Sequence, residues 1–291
     1  MDMIKNLGIV GTGTMGTGIA QLAVQSKINV QLYDVNDTLL RRSTVRINAN
    51  LRSAVNLGRL TLEELQASME RIRTRTSLSD LGHCDCIIES VIEDLRVKKD
   101  IFKHLDANTK STAILASATS SLSITSISAN TRYPERIAGV HFFNPVDRTA
   151  LVEVVKGYKT NPATIDEITA FVKQLGKTCI VVKDTPGFVA NRISQPMFGE
   201  ALRLLGENVA RAAQIDRIVN VIGGFHGGPF EAMDQMGIDA TLAEVQSLYE
   251  QSYGDPRLRP HPILKQMMES GWLGKKTNKG FYTYEDSNHK S

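Results

Sequence analysis

The chain has 291 residues, longer than one hydrophobic core usually serves, so two domains are expected. Its 42% apolar and 22% charged residues are those of an ordinary soluble globular protein. A net charge of +3, with the basic residues dispersed, excludes the gathered Lys and Arg face of a nucleic-acid protein, and no apolar run reaches the ~20 residues of a membrane span.

The opening MDMIKNLGIVG reads as entering a strand at once instead of forming a signal peptide, so a cytoplasmic protein is expected. LGIVG and NVQLYD read as short buried strands, with helical periodicity in MGTGIAQLAVQS between them. From Asp37 to Arg73 the pattern is that of two helices broken near Gly58. Strands return at CDCIIES, TAILAS, IAGVHFF, LVEVVKG and TCIVVKD, separated in several places by helices such as LRVKKDIFKHLD. This alternation predicts an α/β fold, a mostly parallel sheet with helices on both faces. After Asp184 the punctuation Pro186-Gly187 opens a region that is helical almost to the end. The expected division is a nucleotide-binding α/β domain over residues 1–184 and an all-helical domain over 185–291. Cys84, Cys86 and Cys179 lie in strand-like runs and read as core thiols, with no spacing that suggests a metal. His83, His104, His226, His261 and His289 read as surface or turn residues.

Gly11, Gly13 and Gly16, with Thr14 and Met15 between them, form GTGTMG directly after a strand and before a helix. There the first glycine makes the turn, the second admits a pyrophosphate to the backbone, and the third lets helix pack on strand. The helix N-terminus then offers N–H groups and a positive dipole end. Asp34 ends the second strand, where an acid accepts from a ribose diol and repels a 2′-phosphate, so NAD is expected over NADP. Lys98, on a helix after a strand, reads by itself as a solvated charge.

The stretch HFFNPVDRTALVEVV brings His141 and Glu153 into one loop-linked pair of elements. By themselves they read as a catalytic pair or, the commoner case, as a buried histidine near a solvated acid. Ser120 in ATSSLSI would ordinarily be a helix cap, and Asn191 could cap a helix beginning near Pro186.

Taken together, VGTGTMGTGIA, IIESVIEDLRVKKDIF, ILASATSSLSI, RIAGVHFFNPV, LVEVV, DTPGFVANRI, GGPFEAMDQMGID and LGKKTNKGFYTY resemble the 3-hydroxyacyl-CoA dehydrogenase family along nearly the whole chain. The resemblance implies a Rossmann-type domain and NAD-dependent oxidation of a short 3-hydroxyacyl thioester to the 3-ketoacyl thioester, or the reverse. It makes His141 the catalytic histidine and Glu153 its acidic partner. Ser120 and Asn191 become hydrogen-bonding groups near the reacting oxygen, Asn191 from the helical domain, so that the site lies in a cleft between domains. Glu93, Lys98 and Asn144 match positions beside the nicotinamide ribose and cofactor, and Lys276 matches a lysine of a C-terminal cofactor-contacting segment. The helical domain is expected to form a homodimer, and apolar residues in FEAMDQMGIDATLAEVQSLY point the same way.

Two departures from the family pattern stand out. Ala118 replaces an asparagine, and Asp147, Arg148, Thr149 and Ala150 replace an apolar stretch ending in a basic residue. The second change predicts a polar border to the acyl pocket, suited to short or hydroxylated acyl groups. The alternative is that Asp147 and Arg148 face solvent and pair with each other. CoA is the expected carrier; a hydroxylated acyl unit such as glyceryl on acyl carrier protein is a second reading, and a non-catalytic NAD-binding structural protein a third.

Overall fold

The computed structural model describes residues 3–284. Within them the chain divides into a unit ending at Phe188 and a unit beginning at Val189.

The first unit is built on eight strands: β1 (Asn6–Val10), β2 (Asn29–Tyr33), β3 (Ile72–Arg75), β4 (Cys86–Glu89), β5 (Ile114–Ser117), β6 (Ile137–Phe142), β7 (Leu151–Lys156) and β8 (Thr178–Lys183). Their order is β3-β2-β1-β4-β5-β6-β7-β8. The first six are parallel, β7 runs antiparallel to β6, and β8 is parallel to β7. The sheet is therefore mostly parallel, with its order reversing between β1 and β4.

Helices α1 (Thr14–Gln25), α2 (Asp37–Asn56), α3 (Leu62–Glu70), α4 (Leu95–Asn108), α5 (Ile124–Ser128) and α6 (Pro162–Gln174) connect the strands. Alternate strand residues feed two cores. Leu7, Ile9, Cys86, Ile88, Ala116 and Val140 pack with α1, α2 and α6; Ile87, Leu115, Ile137 and Val155 pack with α4 and α5. Such two-sided burial explains why the strands read as continuous apolar runs.

α2 and α3 fall within the region predicted to hold two helices, parted where Gly58 takes a positive φ of 68°. β3 was not expected. Its sequence IRTR carries two arginines on an edge strand with one buried residue, so no apolar alternation announces it. Cys84 and Cys86 are fully buried, but Cys84 precedes β4, and Cys179 is partly exposed on edge strand β8. His261 caps a helix in the second unit, His83 and His226 are exposed, and His289 lies outside the described residues.

The second unit comprises α7 (Ala190–Gly206), α8 (Ala212–Gly223), α9 (Pro229–Met236), α10 (Ile238–Gln251) and α11 (Pro262–Glu269). Phe198, Leu202, Phe230, Met233, Ile238, Leu242 and Leu264 form its core. The apolar residues expected to serve a dimer in FEAMDQMGIDATLAEVQSLY are thus mostly spent inside the unit. The exposed apolar face lies on α8 instead, at Ile218, Val221 and Ile222, and continues to Phe225. No helix among the described residues is long and apolar enough to cross a membrane.

Candidate active site

Parallel strands that reverse order leave a crevice at their carboxyl ends, the usual ligand position in such sheets. The loops after β1, β2, β4, β5 and β6 all open at that edge, and they carry Gly11 to Gly16, Asp34, Glu93, Ser120 and Asn144.

Each glycine of the first loop has a separate physical reason. Gly11 has φ of 94°, and a Cβ there would stand 2.6 Å from the Ser90 carbonyl oxygen. At Gly16 a Cβ would collide with the Gly11 carbonyl oxygen, so α1 could not pack against the turn. A Cβ at Gly13 would meet no protein atom within 4 Å. Here glycine serves whatever approaches from outside. Gly13 also begins α1 without a capping side chain, which leaves the first-turn N–H groups to an anion. These features fit a dinucleotide pyrophosphate.

Asp34 is tied to the same loop. Its Oδ2 accepts from Thr12 N and Thr12 Oγ1, both at 2.8 Å. Thr12 went unnoticed in the sequence, where a threonine inside a glycine loop gives no signal. The two bonds fix where the second carboxylate oxygen, Oδ1, stands.

His141 and Glu153 are directly opposite in the antiparallel β6–β7 ladder. Their side chains meet, His141 Nδ1 to Glu153 Oε2, at 2.7 Å, and both residues are buried. A hairpin register thus converts a separation of twelve residues into contact. The histidine ring packs against Phe143, with centroids 4.4 Å apart, and against Phe188 at 5.9 Å. Its Nε2 takes no hydrogen bond from the described residues of the first unit. Of the two readings of this stretch, the structure brings the residues together as a pair.

Lys98 is not solvated. It is 1% exposed, and its ammonium lies 2.6 Å from Glu89 Oε1 and 3.2 Å from Glu93 Oε2. Glu93 in turn accepts from Thr119 Oγ1, from Ser120 N at 3.2 Å and from Ser121 Oγ at 3.4 Å. Glu89 was missed; an acid closing the otherwise apolar strand CIIE was the available sign.

Ser120 does not cap α5. Ser123 does, accepting from Ser126 N, while Asp184 accepts from Ile124 N and Thr125 N at the same helix end. Asn191 is not a cap either: α7 begins at Ala190 with Val189 before it, which puts Asn191 in the first turn. Lys276 pairs with Asp239 of α10 in the second unit.

The loop between β6 and β7 carries Asn144, Asp147 and Arg148, all exposed, and no ion pair joins the two charged residues among those described. A lysine that sequence reasoning passed over holds this loop. Lys177 is buried and donates to the carbonyls of Val146 at 2.7 Å, Asp147 at 3.3 Å and Thr149 at 2.8 Å. Burial pushes its ammonium below the usual lysine range, with the charge of Asp147 acting in the opposite sense. Ala118 is partly buried and touches the main core, and its N–H donates to the Glu89 carbonyl; nothing in the structure replaces the family's asparagine there.

Comparison with known proteins bears on the same residues. The model of the 3-hydroxyacyl-CoA dehydrogenase NAD-binding domain matches residues 6–185, and that of the family's C-terminal domain matches 187–284. The chain belongs to the 3-hydroxyacyl-CoA dehydrogenase family. It is accordingly an NAD-dependent oxidoreductase, and its first unit carries the family's NAD-binding domain. The 3-hydroxybutyryl-CoA dehydrogenase of Bradyrhizobium diazoefficiens is 41% identical over 283 residues, covering 97% of this chain and 96% of the relative. The human mitochondrial hydroxyacyl-coenzyme A dehydrogenase is 37% identical, covering 97% of this chain and 92% of its own. Among solved structures, the (S)-3-hydroxybutyryl-CoA dehydrogenase of Ralstonia eutropha superposes with a TM-score of 0.92 at 38% identity, covering 97% of this chain and 100% of that one.

Proposed function

We propose that this dehydrogenase interconverts a short 3-hydroxyacyl-CoA of the 3-hydroxybutyryl type and its 3-ketoacyl thioester in the cytoplasm. The observation that carries the reading is the buried His141–Glu153 pair, set at the sheet edge where the glycine loop also opens. The names of the similar proteins support the acyl class, and the exposed charges of Asp147 and Arg148 favour short or polar acyl groups over long ones. Nothing in the comparisons favours acyl carrier protein as carrier or a non-catalytic role.

Gly11, Gly13, Thr14, Met15 and Gly16 would hold the pyrophosphate, Asp34 the adenosine ribose, and Glu93 the nicotinamide ribose, with Asn144 nearby. NAD, when bound, supplies the acceptor for the hydrogen leaving the carbinol carbon. His141 does the proton work: with Nδ1–H donated to Glu153, Nε2 presents its lone pair to the substrate hydroxyl and takes its proton. Glu153 compensates the charge that arrives with that proton and keeps the ring in one orientation. In the reverse direction the same Nε2 returns the proton to the forming alkoxide. Ser120 is assigned to the same oxygen. For Asn191 and Lys276, on the second unit, the assignments rest on the family resemblance.

The decisive assay follows NADH absorbance over a panel of CoA-borne and carrier-borne 3-hydroxyacyl substrates. Highest kcat/KM on a short CoA thioester is expected; no turnover with any CoA substrate would overturn the proposal. Asp34→Ala should weaken NAD binding and narrow the preference for NAD over NADP, because the ribose contact and the repulsion of a 2′-phosphate vanish together. An unchanged ratio of the two kcat/KM values would leave Asp34 only its hold on Thr12.

The same proposal includes a homodimer formed through the exposed apolar face of α8. Val221→Glu with Ile222→Glu should convert it to a monomer in sedimentation velocity at micromolar concentration. A wild-type monomer, or a variant that still dimerises, would count against that face.

A further inference from the structure

We infer that Glu89, acting through Lys98, is a positioning residue for the cofactor: it fixes the carboxylate of Glu93 where a ribose diol can donate to it. This rests on the proposed assignment of Glu93 to the nicotinamide ribose.

Glu89 ends β4 and is fully buried. A carboxylate in that position is tolerated only when paired and hydrogen-bonded. Its Oε2 accepts from Ser117 Oγ at 2.6 Å; its Oε1 accepts from Val91 N at 2.7 Å and Lys98 Nζ at 2.6 Å. So held, it captures the lysine. Lys98 cannot swing to solvent, because its side chain is 1% exposed.

An ammonium has three protons. Those of Lys98 face three protein acceptors: Glu89 Oε1 at 2.6 Å, Glu93 Oε2 at 3.2 Å and the Val91 carbonyl at 3.5 Å. Its two close contacts are both to carboxylates, those of Glu89 and Glu93. What Lys98 does is bring two carboxylates together that would otherwise repel. Of these three charged side chains, Glu93 is the one open to solvent, at 38%. One of its oxygens is held by Lys98 and the other by Thr119, Ser120 N and Ser121. A carboxylate clamped at both oxygens offers its remaining lone pairs in a fixed place, so a diol binds without ordering the side chain first. The bond from Ser120 N also makes Glu93 a support for the turn that carries Ser120. Cofactor and reacting oxygen then share one support.

The test replaces both members of the buried pair. Glu89→Gln with Lys98→Met removes one acid and one base, so the cluster keeps its formal charge and no buried ion is orphaned. Titration with NAD, read by protein fluorescence, should show a dissociation constant raised on the order of tenfold, the worth of one well-placed charge-assisted hydrogen bond. At saturating NAD, kcat should fall much less than kcat/KM for NAD. A folded double variant that binds NAD as the wild type does, while Glu93→Gln binds it more weakly, would overturn the inference and leave the assignment of Glu93 standing. Wild-type affinity in Glu93→Gln would overturn that assignment and this inference with it. Should the double variant melt below assay temperature, Glu89→Gln alone decides. Lys98 is then drawn wholly onto Glu93, and NAD should bind more weakly; unchanged affinity would again overturn the role of Glu89.

Discussion

His141→Ala is expected to lower kcat by roughly 10²- to 10⁴-fold while the dissociation constant for NAD changes little. That loss corresponds to about 3–5 kcal/mol of transition-state stabilisation. The reason is local: Nε2 is the proton acceptor, and Glu153 is the acid bonded to the other ring nitrogen. Stability has to be measured alongside, because the alanine leaves buried Glu153 without the Nδ1–H donor. His141→Gln retains a donor of similar reach and separates the two effects. It should melt closer to the wild type yet be nearly as slow. Glu153→Gln should also be slow, since an amide cannot compensate the imidazolium charge and leaves the tautomer undefined. A loss of only a few-fold in His141→Ala with every substrate would remove the pair from the mechanism.

What could be read in advance, and what could not, divides by how far apart the interacting groups lie in sequence. The glycine loop was legible because each glycine answers to a neighbour within one strand-turn-helix unit; Gly16 meets Gly11, and Asp34 ends the adjacent strand. The parallel sheet was legible from apolar runs between helices. His141 and Glu153 were undecided on their own, because contact depended on the register of a hairpin with an eight-residue polar and aromatic loop, 143–150. The reading of Lys98 by itself as a solvated charge failed because its partner Glu89 is nine residues away on a strand, and burial of a lysine is invisible until that acid is seen to face the same way. Lys177 gave no signal at all. Its partners are backbone carbonyls, which every sequence contains. β3 was lost to its arginines. The apolar stretch cited for a dimer was ambiguous for a related reason: such a stretch shows that something must cover it, and here most apolar residues of α9 and α10 are covered by their own unit's core.

Asp234→Ala should destabilise the second unit by about 3–5 kcal/mol, because several bonds to one buried charge are lost together. Asp234 is 1% exposed and lies on α9. It accepts from Phe281 N at 2.9 Å, Tyr282 N at 3.0 Å and the Tyr284 hydroxyl at 2.9 Å. Asp216 of α8 does the matching work at the start of α9, accepting from Phe230 N and Glu231 N at 3.0 Å and from the Tyr282 hydroxyl at 2.7 Å. The glycines of the family segments GGPF and KGFY follow from these acids. A Cβ at Gly228 would collide with Asp216, and one at Gly280 with Asp234. Both tyrosines are pushed above their ordinary pKa, by burial first and then by these hydrogen bonds. Since the folded values are raised, the phenols' contribution is fully present below the usual tyrosine pKa of about 10 and is lost as pH rises through the raised values. The deficit of Asp234→Ala should therefore hold steady between about pH 7 and pH 9 and shrink in strong alkali. Trp272, the chain's single tryptophan, lies in this unit with the Lys279 ammonium 3.9 Å from its ring centroid, so its fluorescence reports the transition directly. Lys276 sits on the segment that Asp234 pins, and its pairing with Asp239 is expected to loosen as well. A deficit below about 1 kcal/mol would mean that the segment is held by its core contacts at Phe281 and Tyr282 and not by the carboxylate.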